Sequence, residues 1–313
     1  MTMDRRGRPK GPGRPAQPSD APDDRGAIVA AFLANLSIAA AKIVGFLVTG
    51  AASLAAEAVH SMADTGNQGL LLMGSNRAKH RATAEHPFGF GAERYFWSFV
   101  VAVVLFTGGG LFALLEAEEK LRRPHEIESP GWAIGILAFA FVFESLSLRT
   151  AVRRARDEKA DGSWWHFIRS SKRAEVPVVL LEDSGALVGL TVALCGVGLA
   201  TITGNPRFDA LGSLAIGILL VCIALVLATE MKSLLIGEAA DEDKVRTMRS
   251  AIEGDPGVDE VLDLRTLQLS PDKALVAVRF RASTSPEGRH AVARLSKTLA
   301  AIDPEAVTYI EPH

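Results

Sequence analysis

Six apolar runs, each long enough to cross a lipid bilayer, constrain this chain more than any other feature of its sequence. They occupy residues 26–50, 53–75, 95–115, 131–151, 176–202 and 208–235. A helix rises 1.5 Å per residue, so about 20 residues cross a hydrocarbon core of roughly 30 Å. Hydrophobic residues make up 48% of the chain, which agrees with a large membrane-embedded part. The sequence therefore predicts an α-helical membrane protein with six transmembrane helices in residues 26–236.

The segments on either side of these runs have different compositions. Residues 1–25 are rich in Arg, Pro and Gly and lack apolar residues to bury, which predicts a disordered basic tail. Residues 237–313 have helical and alternating patterns in the order αββαβ: a helix at 241–253, strands at 258–270 and 274–282, a helix at 289–301 and a strand at 306–310. This order predicts a separate α+β domain with its helices on one face of a small sheet.

The positive residues predict the orientation of the membrane helices. Within residues 1–236, most Lys and Arg residues lie in the N-terminal tail, in the loop after the second run and in the loop after the fourth run. Since cytoplasmic loops carry this excess, both termini are predicted to be cytoplasmic. The Ala-, Gly- and Arg-rich composition favours a bacterial cytoplasmic membrane. The net charge of -2 gives no reason to expect a nucleic-acid partner.

The second run carries an imidazole and a carboxylate at helical spacing. His60 and Asp64 are four residues apart, so on a helix they share one face and can reach the same ligand. A charged residue at the centre of a membrane helix costs roughly 3 kcal/mol, and such residues usually mark a functional site. We therefore expect this pair to form part of a binding site.

Two further carboxylates, Glu182 and Asp183, stand near the start of the fifth run. Together with His60 and Asp64 they offer nitrogen and oxygen ligands that suit zinc and tolerate other divalent metals. A second interpretation stays open for both acids, namely that they lie in the headgroup region and are simply solvated.

Several motifs resemble those of the cation diffusion facilitator family of divalent-metal transporters. The motifs are Ala56–Gln68, His86–Gly91, Leu181–Ser184, Phe208–Ala210 and Leu234–Glu238. The resemblance covers nearly the whole chain after the tail. It implies a six-helix membrane domain, a ferredoxin-like cytoplasmic domain and assembly as a homodimer.

The family's transport site has two ligands four residues apart in the second span and two more in the fifth. By this resemblance His60 and Asp64 are the first pair and Asp183 is one member of the second pair. The position four residues before Asp183 is Val179, which cannot bind a metal. Either water completes the site, or a nearby group substitutes; the candidates are Glu182, Asn67 and Gln68. Adjacent helical positions diverge by about 100°, so Glu182 ranks below the first three.

The resemblance implies proton-coupled efflux of a divalent cation by alternating access. The cation is the substrate, with zinc favoured and manganese, iron or cobalt open, and no cofactor is expected. Imidazole, with an ordinary pKa of about 6.5, can exchange a proton for a metal near neutral pH. An alternative is a membrane scaffold or metal-responsive regulator that acts through its cytoplasmic domain. An intramembrane metallohydrolase is disfavoured, because neither His-Glu-x-x-His nor a nucleophile paired with a base occurs in the sequence.

Overall fold

The computed structural model describes residues 24–159 and 163–313. Helices α1 to α8 are α1 Asp24–Thr49, α2 Ala52–Ala78, α3 Glu93–Val104, α4 Phe112–Arg122, α5 Pro130–Glu158, α6 Trp164–Ser170, α7 Glu175–Thr203 and α8 Arg207–Ile236. A π-helical segment, Leu105–Leu111, joins α3 to α4, so these two form one continuous rod. Most of the tail predicted at 1–25 lies outside the described residues, and Asp24 and Arg25 already belong to α1.

Four of the described helices are long and apolar enough to cross a membrane: Glu93–Arg122, Pro130–Arg156, Glu175–Thr203 and Arg207–Ile236. The apolar described part of α1, Asn35–Thr49, is shorter. Helix α2 spans 27 residues but is more polar, because it carries the ionisable residues singled out in the sequence. The six long rods fall at the six predicted runs, and composition alone supports a membrane span for four of them.

Helix α2 occupies the centre of the bundle. It packs against α1, α3, α4, α7 and α8. The core around it is built from large aliphatic side chains that are almost completely buried, among them Leu54, Leu105, Leu137, Leu190 and Leu220. Because neighbours surround much of α2, the polar side chains that it buries, among them Glu57, His60 and Asn67, lie within protein, where each needs a partner.

The C-terminal domain contains α9 Glu242–Glu253, β1 Val258–Ser270, β2 Lys273–Ala282, α10 Ala291–Ile302 and β3 Val307–Pro312. The sheet order is β1-β2-β3, with β1 antiparallel and β3 parallel to β2. Alternate β2 residues Val276, Val278 and Phe280 are buried against Met248 of α9 and Leu295 of α10. The predicted αββαβ order is confirmed, since the period of apolar residues distinguished strands from helices here.

Ion pairs connect this domain to the bundle. Lys172, just before α7, lies 2.5 Å from Glu238, which follows α8. Its neighbour Arg173 lies 3.1 Å from Asp272 in the turn between β1 and β2. The basic loop after α6 therefore meets acidic residues of the C-terminal domain.

Candidate metal site

His60 and Asp64 lie on one face of α2, as their spacing predicts. His60 Nε2 is 3.4 Å from Asp64 Oδ2, and the imidazole side chain is 1% exposed. Both ring nitrogens of His60 and Oδ1 of Asp64 are buried and make no hydrogen bond within the described part of the chain. Buried polar atoms without partners are rare, because each costs free energy. These three atoms are therefore available to a ligand.

A glycine of the π-helical segment faces this imidazole. A Cβ added at Gly109 would stand 4.0 Å from His60 Nδ1 and 3.1 Å from Leu220 of α8. The absence of a side chain lets the rod of α3 and α4 approach the site closely. π-Helical turns recur at functional sites. The sequence signal for this feature is the triplet Gly108–Gly110, which belongs to none of the motifs that carry the family resemblance.

The two acids of α7 contact different helices. Glu182 is buried, and its Oε1 accepts a 2.6 Å hydrogen bond from Asn67 Nδ2 of α2, while Asn67 Oδ1 makes no hydrogen bond to any described residue. Asp183 accepts a 2.9 Å hydrogen bond from Ser147 of α5. The Glu182 carboxylate is therefore enclosed by protein and is not simply solvated.

The divergence of adjacent helical positions explains this difference. The sequence ranks Glu182 below Asp183 as a ligand. In the structure, however, Glu182 is the acid that is hydrogen-bonded to α2. The side chain of Gln68 is half-buried and makes no hydrogen bond within the described residues, and Val179 is half-buried as well.

The acids of α2, α5 and α7 lie close enough together to interact electrostatically. Asp64 interacts with both Glu182 and Asp183 of α7 and with Glu144 of α5. Among residues 24–159 and 163–313, no group of three or more His, Cys, Asp or Glu side chains is close enough to hold a metal ion in this conformation. The predicted ligands therefore share a region without yet forming a complete coordination sphere.

A buried ion pair lies beside this region. The Lys42 ammonium of α1 is 3.1 Å from Glu57 Oε2 and donates a 2.6 Å hydrogen bond to Ser61 Oγ, both on α2. The side chains of Lys42 and Glu57 are 0% exposed, and Glu57 Oε1 has no partner in the described chain. Neither Lys42 nor Glu57 is among the site residues predicted from the sequence.

Comparison of the sequence with known proteins identifies the family of this chain. Residues 28–236 match the cation efflux transmembrane domain. The chain is 35% identical over 250 residues to the human protein named proton-coupled zinc antiporter SLC30A9, mitochondrial, covering 79% of this chain and 43% of that protein.

Two further relatives come from a plant and a bacterium. Metal tolerance protein C4 of Arabidopsis thaliana is 28% identical over 239 residues, covering 76% of this chain and 51% of that protein. The cation-efflux pump FieF of Serratia proteamaculans is 28% identical over 251 residues, covering 79% and 77%. The chain thus spans less than half the length of the human relative. The matched domain, together with the apolar helices, shows that the chain belongs to the cation diffusion facilitator family of integral membrane transporters, whose members are not enzymes.

Proposed function

We propose that this protein exports a divalent metal ion, with Zn²⁺ as its main substrate, in exchange for protons. His60, Asp64 and Asp183 are the proposed ligands, and Glu182 joins them as the acid that faces α2. Asn67 and Gln68 remain weaker candidates, with Asn67 favoured because its Oδ1 makes no hydrogen bond among the described residues. The observation that carries the proposal is the set of buried nitrogen and oxygen atoms on His60 and Asp64 that make no hydrogen bond within residues 24–159 and 163–313.

The donor types support zinc without restricting the site to it. One imidazole and several carboxylates suit Zn²⁺, while the excess of oxygen donors also suits Mn²⁺, Fe²⁺ or Co²⁺. The human relative is named a zinc antiporter, which favours zinc here by similarity.

The division of the ligands between two helices supports alternating access. His60 and Asp64 belong to α2, whereas Glu182 and Asp183 belong to α7. Movement of α7 against α2 would bring the four side chains around one ion, and the reverse movement would release it. Metal binding to imidazole and carboxylates displaces protons, which supports coupling of efflux to proton entry.

We propose the same topology as the sequence indicates. Six spans, with both termini in the cytoplasm of a bacterial cell, agree with the six rods and with the positive loops. The C-terminal domain would be cytoplasmic and would hold two copies of the chain together as a homodimer. Fusion of a compartment-sensitive reporter to His313 tests this orientation.

Transport in proteoliposomes tests the function. Purified protein should move Zn²⁺ across the bilayer, and a pH dye on the opposite side should report protons moving the other way. Asp64→Ala and His60→Ala should each lower the rate by about a hundredfold or more, because loss of even an outer-shell partner of a metal ligand costs about 10–100-fold in affinity or activity. His290→Ala, at an exposed position of the C-terminal domain, is the matched control and should transport normally. Metal movement without proton movement would contradict the coupling.

Val179 favours a second candidate function, a scaffold or metal-responsive regulator that does not transport. The half-buried Val179 occupies the position of a family ligand and cannot bind metal. In that case metal flux would be absent from wild-type liposomes, although the protein would still bind metal or a partner.

A further inference from the structure

The buried pair Lys42–Glu57 has no role in the proposed ligand set, yet it lies beside it. Glu57 stands three residues before His60 and seven before Asp64, so all three share one face of α2. Lys42 interacts electrostatically with His60, Asp64 and Glu144 as well as with Glu57. The Lys42 ammonium therefore lies close enough to the proposed metal ligands to influence how they bind a cation.

Stability alone does not explain such a pair. Removing two charges from water costs several kcal/mol per ion, and well-packed apolar residues of similar volume are often as stabilising. The pair is also incompletely satisfied, because Glu57 Oε1 has no partner within the described residues. That oxygen faces Gly189 of α7, and a Cβ added at this glycine would overlap it. Gly189 thus leaves space in α7 for the Glu57 carboxylate, which is not fully hydrogen-bonded within the described residues.

Lys42 is also connected to the site by a short path. Its ammonium donates to Ser61 Oγ, and Ser61 is one turn before Asp64 on α2. Four rotatable carbons let a lysine ammonium change partners with little movement of the backbone. Asp64 Oδ1, one turn further along, has no hydrogen-bond partner in the described chain.

We propose that Lys42 is a tethered cation that competes with the transported metal for the Asp64 carboxylate, and that Glu57 holds it away from that carboxylate. The inference rests on the proposed function. The ammonium held at Glu57 repels a divalent ion at the site, and its displacement toward Asp64 adds direct competition for that carboxylate. Lys42 thereby limits metal affinity and promotes release.

Titration of the purified full-length protein with Zn²⁺ by calorimetry tests this role, with Co²⁺ absorption as a second probe. Lys42→Met leaves the Glu57 charge unopposed beside the site, so the protein should bind Zn²⁺ about tenfold more tightly. Glu57→Gln releases the ammonium toward Asp64, so binding should weaken by about tenfold. The double variant removes both charges and should bind close to the wild-type affinity.

Opposite shifts of the two single variants cannot result from a shared loss of structure. Lys120→Met is the matched control, because Lys120 forms another buried pair, with Asp209, which contacts the first residues of α2. That contact is eight residues before His60, about 12 Å along the helix. The control should lower the unfolding temperature and leave Zn²⁺ affinity unchanged.

Several outcomes would overturn the inference. It is wrong if the two single variants shift affinity in the same direction, if neither shifts it, or if the double variant matches Glu57→Gln. If Lys42→Met does not fold, the double variant should still bind about tenfold more tightly than Glu57→Gln. Loss of transport in Asp64→Ala, with no shift for Lys42 and Glu57, would reject this inference alone. Persistent transport in Asp64→Ala would reject the proposed function.

Discussion

Two buried lysine–carboxylate pairs contact the same helix, and they differ in how completely they are satisfied. Asp209 of α8 accepts hydrogen bonds from the backbone N–H of Ala52, at 2.7 Å, and of Ser53, at 3.2 Å, and from the Ser53 hydroxyl. Lys120 donates to Asp209 Oδ2 and to the carbonyl of Gly50, both at 2.7 Å. Both carboxylate oxygens of Asp209 thus have partners.

The Lys42–Glu57 pair lies further along α2 and lacks this completeness. One oxygen of Glu57 is unpaired within the described chain, and the nearby His60 and Asp64 carry unpaired atoms too. A fully satisfied pair can hold a helix end in place, since it meets the orphan N–H groups there. In an incompletely satisfied pair, a ligand that bonds to the unpaired buried atom removes the free-energy cost of leaving that atom unpaired. We therefore interpret the Lys120–Asp209 pair as stabilising the fold, and the Lys42–Glu57 pair as part of the proposed metal site.

Asp209→Ala should have the largest effect on stability, and it tests most directly whether the Lys120–Asp209 pair serves the fold rather than the metal site. The change removes the cap of α2 and leaves the Lys120 ammonium buried without its partner, which costs about 3–5 kcal/mol. Thermal unfolding in detergent measures this loss. Zn²⁺ affinity should stay within error of wild type in whatever fraction is folded. A tenfold fall in affinity would instead assign Asp209 to the site, and the comparison would fail.

Gly189→Ala should have an intermediate effect, because it fills the space beside Glu57. The new Cβ would overlap Glu57 Oε1, so the carboxylate or α7 must shift, at a cost of about 1–3 kcal/mol. Gly198→Ala on the same helix is the control, since a Cβ there meets no atom of another described element within 4 Å, and it should be neutral or slightly stabilising.

A Glu57→Ala background removes the overlap and should abolish most of the cost of Gly189→Ala. A cost that does not change in this background would mean that the space at Gly189 serves the packing of α7 rather than Glu57.

Arg294→Ala should have the smallest effect, since its ion pair lies outside the membrane helices. Arg294 Nη2 is 2.6 Å from Asp255 Oδ1, and this hydrogen bond lowers the pKa of Asp255 below its ordinary value of 3.8. A lowered pKa adds stability above the unfolded value, and this stability is lost as the pH falls through the folded value.

Hydrogen exchange of β1 and β2, compared between variant and wild type at each pH, measures the Arg294 effect. Protection should differ most near neutral pH and converge below about pH 4. A difference that grows on acidification would contradict the assignment.

Local sequence patterns were enough to predict most elements of the fold. The strand predicted at 258–270 is found at Val258–Ser270, and the fifth run at 176–202 lies inside α7, Glu175–Thr203. Both depend on periodicity within one element, which is set by backbone geometry. The contact of His60 with Asp64 was predicted for the same reason, since four residues make about one helical turn.

Contacts between distant elements could not be predicted in this way. Asp209 is 157 residues from Ala52 in sequence, and Glu182 is 115 residues from Asn67. Which neighbour each side chain meets depends on the rotation and spacing of whole helices, and these are decided by how apolar side chains and glycines pack.

The sequence by itself determined the number and positions of the long helices, the family, and the pair His60 and Asp64. Only the tertiary structure decided that Glu182 faces α2, that Asp183 turns to Ser147, and that Lys42 is held by Glu57. The physical reason is that helical periodicity fixes which residues share a face, whereas packing of the bundle decides what that face meets.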